Sequence, residues 1–208
     1  MPATTSTDRR YGGKTGSERR SERQGRLLDA GLELFGTKGY AATTIEGVCA
    51  AARLHPRYFY EAFSSRQALL GAVYDRHIAT ITSAVLVAVD AAPAEPRPRL
   101  EAGLRAFLAA LLADPRAARV NYFEMIGVSA ELERKRRAVL GAYEDLIAGE
   151  IAAARRLRPI SVPDDRLAAV GLVGAVDGLI MDQLSRETPD ADAVVATVLT
   201  IVEAILSG

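Results

Sequence analysis

Arg57, Tyr58 and Tyr60 crowd one short stretch just after Pro56, with Arg53-Leu54-His55 before it. Their chemistry is recognition, not bond-breaking. A guanidinium donates to guanine O6 and N7 together, which makes Arg57 the residue to read a base. A phenol at Tyr58 meets a thymine methyl or a phosphate. Such side chains work only when a rigid element carries them into a groove. Residues 43–63 supply one: two short helices joined by a tight turn at 53–55, the second opened by Pro56. Proline suits a first helical position, where its missing N–H would be unpaired, and its ring pushes His55 out of helical conformation. The stretch reads as a helix-turn-helix whose second helix enters the DNA major groove. Arg66, in the first turn of the next helix, is placed to clasp a phosphate together with the exposed amides.

A second set of residues points to a sensor. Asn121, Tyr122, Glu124, Met125, Tyr143, Asp177 and Met181 interrupt apolar helical faces with polar or polarisable groups. An apolar cavity with a few placed polar groups suits a small hydrophobic effector. Met and Tyr at helical spacing also serve as plain core, so Asp177 is the most telling member. A carboxylate in so apolar a helix needs a partner: a ligand, an arginine or a second subunit.

Enzyme chemistry has little to work with. The chain holds two histidines and one cysteine. They show no metal-ligand spacing, and there is no nucleophile elbow or phosphate-cradling glycine loop. No catalytic residue, metal or cofactor is expected. Cys49 reads as a packing thiol and His77 as a structural histidine.

The elements that must position these residues are helices. Hydrophobic residues make up 49% of the 208 and charged residues 25%, which leaves ample material for a core, and there is no Trp. With abundant Ala and few interior prolines, an all-α class follows. The first helix is expected from Ser21, with Ser21 and Gln24 as a capping box and Leu27, Leu28, Leu32, Leu34 and Phe35 as its apolar face. The second follows Thr43, boxed with Glu46. The fourth follows Ser64, boxed with Gln67, and its stripe runs from Leu69 to Val85. A loop is expected at 92–99, then helices over 100–113, 116–128 and 129–156, and a loop at 157–163. Within 129–156 the basic run at 134–137 reads as a solvated face, with Glu131/Lys135 and Glu133/Arg137 as i,i+4 pairs.

The last two helices, 164–186 and 192–205, are apolar on more than one side. The eighth carries Gly171, Gly174 and Gly178, and the ninth Val198, Ile201, Val202 and Ile205. Such helices pack both inside a subunit and against a second one. Three domains are expected: a disordered basic tail at 1–20, a DNA-binding domain at 21–66, and an effector and dimerisation domain at 67–208.

Net charge is zero, but residues 1–66 carry 11 Lys and Arg against 7 Asp and Glu, and the rest 15 against 19. The positive half surrounds the helix-turn-helix, where phosphate attraction is needed. No stretch reads as a signal peptide, and the run at 167–181 contains Asp177 and is short for a bilayer. A cytoplasmic protein with no membrane partner is expected.

The segments RLLDAGLELFGTKGY (26–40), TTIEGVCAAA (43–52) and LHPRYFYEAFSSRQALLGAV (54–73) together resemble the tetracycline-repressor-like (TetR) family of bacterial regulators. The resemblance is strong over about 50 residues. It implies a homodimer joined through the eighth and ninth helices, and repression of a palindromic operator relieved by a small effector. The other readings are a DNA-binding regulator without effector, and a helical enzyme. The resemblance makes Thr44 a phosphate contact, His55, Arg57 and Tyr58 the outward start of the recognition helix, and Tyr60 and Arg66 phosphate contacts. Two departures stand out. Arg53 occupies a turn position where glycine is usual, at a cost of about 1 kcal/mol if its φ is positive. Arg57-Tyr58 brings two large side chains where a small one is usual.

Overall fold

The computed structural model describes residues 15–157 and 164–207, and their side chains except those of Pro96, Leu157 and residues 205–207. All regular structure among these residues is helical: α1 Gly16–Lys38, α2 Ile45–Ala52, α3 Pro56–Ala62, α4 Arg66–Ala91, α5 Pro96–Leu112, α6 Pro115–Arg119, a π-helical turn Val120–Glu124, α7 Ala130–Leu157, α8 Asp165–Leu184 and α9 Ala191–Ser207.

The helix starts follow local chemistry, with corrections to the expected caps. Thr15 caps α1: its hydroxyl accepts from the Glu18 amide while Glu18 reaches back to the Thr15 amide. The helix therefore begins before Ser21, and residues 15–20 are ordered, not tail. Residues 1–14 lie outside the described ones. Thr43 does not cap α2. It is buried, and its hydroxyl donates to the Gly39 carbonyl at 2.8 Å. Thr44 is the cap, accepting from Gly47 N–H at 3.0 Å. Before α4 the cap is Ser65, not Ser64, accepting from the Ala68 amide. A cap must be the extended residue next to the first helical one, so a one-residue shift decides which hydroxyl is used. The loop after α4 is shorter than expected, because Pro96 already opens α5. The loop expected at 157–163 falls, except for Leu157, outside the described residues.

Contacts divide the chain between Val73 and Tyr74, inside α4 and past the expected boundary at residue 66. In the first unit Leu27, Phe35, Val48, Phe59, Leu69 and Leu70 form a core between α1, α2, α3 and the start of α4. Gly31 lets α4 come close: a Cβ there would meet Leu69 at 3.1 Å and Val73 at 3.2 Å. Cys49 is buried, and burial, then Glu46, pushes its thiol pKa up, as suits packing and not reactivity.

In the second unit α7 packs along α8, α8 against α9, and α5 against α9 and α7. Ile81, Val85, Leu108, Leu111, Ile180, Val194, Val195, Val198 and Val202 share one core. Ion pairs lace α7 to α8: Arg155 with Asp165, Arg166 with Glu144 and Asp145, and Arg136 with Asp177. The basic run at 134–137 is thus not simply a solvated face. Lys135 pairs with Asp75, Arg137 with Glu144, and Glu133 accepts from the Gly127 amide.

By length and composition α4 and α8 would pass as membrane spans, with 22% of the apolar window buried in each. In α8 the low burial has a specific form. Leu167, Val170, Gly171, Gly174, Gly178 and Met181 recur at helical spacing on its exposed side. A Cβ at any of the three glycines would meet nothing within 4 Å.

Candidate DNA-binding surface and ligand cavity

The turn between α2 and α3 takes the conformation that glycine usually supplies. Arg53 has φ 52° and ψ 47°, the left-handed region. Its amide donates to the Ala50 carbonyl at 3.0 Å and the Leu54 amide to the Cys49 carbonyl at 2.9 Å, the paired bonds of a Schellman motif. A side chain from outside the helix-turn-helix holds this turn. The Arg26 guanidinium, from α1, donates to the carbonyls of Ala52 and Arg53. These are among the orphan acceptors of the α2 C-terminus, so a cation there also complements the helix dipole. Arg53→Gly is expected to stabilise the chain by about 0.5–1 kcal/mol, since glycine adopts positive φ without a Cβ penalty. Arg26→Ala is expected to cost about 1.5–3 kcal/mol through lost charge-assisted bonds. Urea unfolding of both variants checks the two signs.

His55 caps α3. Its Nδ1 accepts from the Arg57 amide at 3.2 Å, the first helical N–H after Pro56, which has none. The ring is exposed. Arg57 points outward with its side chain 79% exposed, and its Nε donates to Glu61 at 2.9 Å one turn on. That pair steadies the guanidinium through its Nε while the side chain stays largely open to solvent.

Tyr58, expected to face outward, is turned part-way in, and Tyr60 faces out. Tyr58 is half-buried, with the Arg23 guanidinium 4.5 Å above its ring, and Tyr60 is 61% exposed. In a seven-residue helix anchored by Phe59, one position of rotation separates edge from outside. Arg66 lies 4.1 Å over the Tyr40 ring and donates to the Thr43 carbonyl. It thereby ties the start of α4 to the loop before α2. Thr44 is exposed, and its hydroxyl accepts from the Gly47 amide and keeps its own proton as a donor.

The second unit holds a partly open cavity of about 200 Å³. This exceeds the ~150 Å³ at which an apolar cavity takes up benzene. Aliphatic walls come from α4, α5, α7, α8 and α9, among them Ile78, Ile81, Val85, Leu104, Leu111, Val176 and Val198. Asn121, Tyr122, Tyr143 and Asp177 of the expected set line it. Glu124, Met125 and Met181 do not: Glu124 pairs with Arg119 at 2.9 Å, Met125 is packed in the interior, and Met181 is 42% exposed on α8. Val198 and Val202, expected at a dimer interface, are buried in their own subunit and line the cavity instead. Ile201 is half-buried and the Ile205 side chain lies outside those described. The exposed side of α9 carries the small residues Ala193, Ala196, Thr197, Thr200 and Ala204.

Asp177 has its partner: Arg136 Nη2 donates to Oδ2 and the Tyr122 hydroxyl to Oδ1, each at 3.1 Å. The π-helical turn, closed by the Met125 amide on the Val120 carbonyl, buries both Asn121 and Tyr122. Such turns are frequent where side chains must be re-aimed at a site. Burial, foremost, and then the Asp177 charge raise the Tyr122 phenol pKa. Burial likewise raises those of Tyr74 and Tyr143, so all three remain protonated donors at neutral pH. On the far side of the cavity Arg97 pairs with Glu203 and Arg99 with Glu150. Arg97, Arg99 and Arg136 were not singled out in the sequence. The signal for Arg136 was Asp177 itself, which demanded a cation.

Asp177→Ala strands the Arg136 charge, about three-quarters buried, and takes the Tyr122 hydroxyl's acceptor away. The expected cost is about 2–3 kcal/mol, below that of a fully buried pair. Replacing both partners by apolar residues, Arg136→Met with Asp177→Leu, is expected to recover most of it. Denaturant midpoints of the three variants decide.

Residues 27–73 match the family described as bacterial regulatory proteins, tetR family. The chain is 31% identical over 181 residues to the HTH-type transcriptional regulator TcmR of Streptomyces glaucescens, spanning 87% of this chain and 71% of that protein. It is 31% identical over 158 residues to the HTH-type transcriptional activator FasR of Mycolicibacterium smegmatis, spanning 74% and 68%. The fold is similar to the Bacillus subtilis regulator FadR, solved in complex with stearoyl-CoA. The TM-score is 0.74 at 19% identity, over 85% of this chain and 96% of that one.

Proposed function

The chain belongs to the TetR family of bacterial regulatory proteins, and from that membership we propose how its parts divide the work of a DNA-binding transcriptional regulator. The protein binds a palindromic operator as a homodimer and leaves it when a small apolar effector enters the cavity of the second unit. Arg57 reads a base. Thr44, Tyr60 and Arg66 hold phosphates and set the register, and Tyr58 shapes the edge of the recognition helix under Arg23. His55 fixes the start of that helix. The observation that carries this reading is Arg57: a guanidinium 79% exposed, on a capped helix of a helix-turn-helix, steadied by Glu61 without being covered.

The homodimer forms through α8 and α9. Leu167, Val170, Met181 and the three outward glycines present an apolar stripe, and the small exposed side of α9 continues it. A two-fold axis makes that patch self-complementary and sets two recognition helices against two half-sites. An operator as partner places the protein in the cytoplasm. The effector acts by favouring a dimer whose recognition helices are wrongly spaced for the operator, a population shift. Where the operator overlaps a promoter, release relieves repression.

A gel shift on a palindromic promoter fragment tests the reading. Binding is expected at 50 mM salt and is expected to weaken steeply by 200 mM, as phosphate-dominated binding does. Absence of any complex at low salt, or a complex insensitive to salt, contradicts it.

A further inference from the structure

We propose that the ligand of the second unit's cavity is a carboxylic acid with an apolar chain, whose carboxylate docks at the rim on Arg97 and Arg99 while the chain runs inward. The proposal rests on the reading of this unit as ligand-responsive and names the group at the end of the effector's apolar body.

The cavity wall is charged at two places and apolar between them. Arg136 with Asp177 marks one, and Arg97, Arg99 and Glu150 mark the other. Arg136 and Glu150 lie about four turns apart on α7, roughly 21 Å along its axis. The wall between is aliphatic, with Ile81, Leu104 and Leu111 buried. A ligand that occupies this length is hydrocarbon over most of it.

The two charged places differ in what they offer a ligand. Arg136 and Asp177 are each about three-quarters buried, and the Tyr122 hydroxyl donates to the same carboxylate. Parting them strands a charge in the interior. Arg97 and Arg99 stand at the rim. Arg97 is 62% exposed, and its partner Glu203 is not on the cavity wall. Arg99 meets Glu150 at 3.5 Å, a long contact between two half-exposed side chains. Exposed pairs of this kind contribute little, so an arriving carboxylate exchanges with them at small cost and the released glutamates turn to water.

The field at the rim also favours an anion. Among the described residues the wall carries three arginines and two carboxylates, and the surplus positive charge is at Arg97 and Arg99. Both belong to the first turn of α5, which has no acidic residue there and no side-chain cap, so the helix dipole adds to their potential. A carboxylate accepts two parallel bonds from a guanidinium, which a hydroxyl or a thioester carbonyl does not.

Four probes with one chain and different heads test this by titration calorimetry on the full chain at neutral pH: decanoate, 1-decanol, decylamine and decanoyl-CoA. Decanoate is expected to bind about tenfold tighter than decanol, the effect of charge-assisted hydrogen bonds to the rim. Decylamine is expected to be no tighter than decanol, and the thioester weaker than decanoate. Arg97→Gln with Arg99→Gln is expected to bring decanoate down to the level of decanol and to leave decanol unchanged. Retained decanol binding shows that the cavity of the variant is intact. Should the double variant lose decanol as well, Arg97→Gln alone, at the more exposed position, repeats the comparison.

The wild-type ranking decides without any variant. A decanol or decylamine that matches decanoate overturns the proposal and leaves the ligand-responsive reading standing. A thioester tighter than decanoate, or a variant that keeps decanoate's advantage, does the same. Failure of all four probes to bind the wild-type chain overturns that reading, and the proposal with it.

Discussion

Gly174→Arg is expected to halve the particle mass in solution and to abolish operator binding while leaving the subunit folded. The subunit is 22.2 kDa. Light scattering should report twice that mass for the wild-type chain and one subunit for the variant. The argument starts from position 174, where a Cβ meets nothing within 4 Å in its own chain. An arginine there finds room in the monomer and leaves the core of Leu172 and Ile180 intact. In the proposed dimer the same side chain would land where the outward glycines of α8 meet those of the second copy. A charge buried at such a contact without a partner outweighs what a patch of small residues contributes.

Loss of the dimer removes the second half-site's contribution to binding. Specific sites are typically about 10³-fold or more tighter than non-specific DNA, so the specific complex should vanish at ordinary salt. Gly174→Ala gives a sharper contrast. Alanine raises helix propensity by about 1 kcal/mol. The monomer should become more stable while the dimer weakens, and a rise in both would remove α8 from the interface.

Arg57→Ala is expected to cost about 1–3 kcal/mol per half-site, and so about twice that for a dimer on a palindrome. The loss should be confined to the cognate sequence. Affinity for random DNA should fall only slightly, because a base contact adds little to sequence-independent binding. Fold stability should stay within about 0.5 kcal/mol, since the Arg57–Glu61 pair is an exposed i,i+4 pair. Arg57→Lys should recover non-specific binding and not the base preference, because an ammonium lacks the two-pronged geometry. Fluorescence anisotropy on cognate and scrambled duplexes separates these outcomes. Equal losses on both would make Arg57 a phosphate contact and move base reading elsewhere on α3.

The DNA-binding unit was legible in the chain for a physical reason: its determinants are short-range. Pro56 after His55 marks a helix start by its own stereochemistry. Phe59 and Phe63 mark the buried side of α3 by helical spacing. The Thr-Thr pair at 43–44 and the Ser-Ser pair at 64–65 each announced a cap, and their geometry assigned it one residue later than the spacing suggested. Even the strain at Arg53 was visible, because a turn of that length asks for a left-handed residue wherever it occurs.

What stayed hidden depends on which faces meet across long separations. Arg26 reaches the carbonyls of Ala52 and Arg53, a bond between helices that no local period encodes. Arg136 sits in a basic run that looks solvated, and α7 must lie along α8 before it meets Asp177. The same limit applies to α9, where apolar residues occupy nearly every side. Periodicity cannot say whether Val198 and Val202 turn to the core or to a partner when both sides are hydrophobic, and packing against α5 and α8 turned them to the cavity.

By itself the sequence determined the all-helical class, the order of most helices and the turn before α3, because each follows from the stereochemistry of a few adjacent residues. The tertiary structure alone decided the cavity, its arginines paired with carboxylates, and the outward set of glycines on α8. These depend on the rotation of each helix about its axis, which many weak contacts between distant residues settle together.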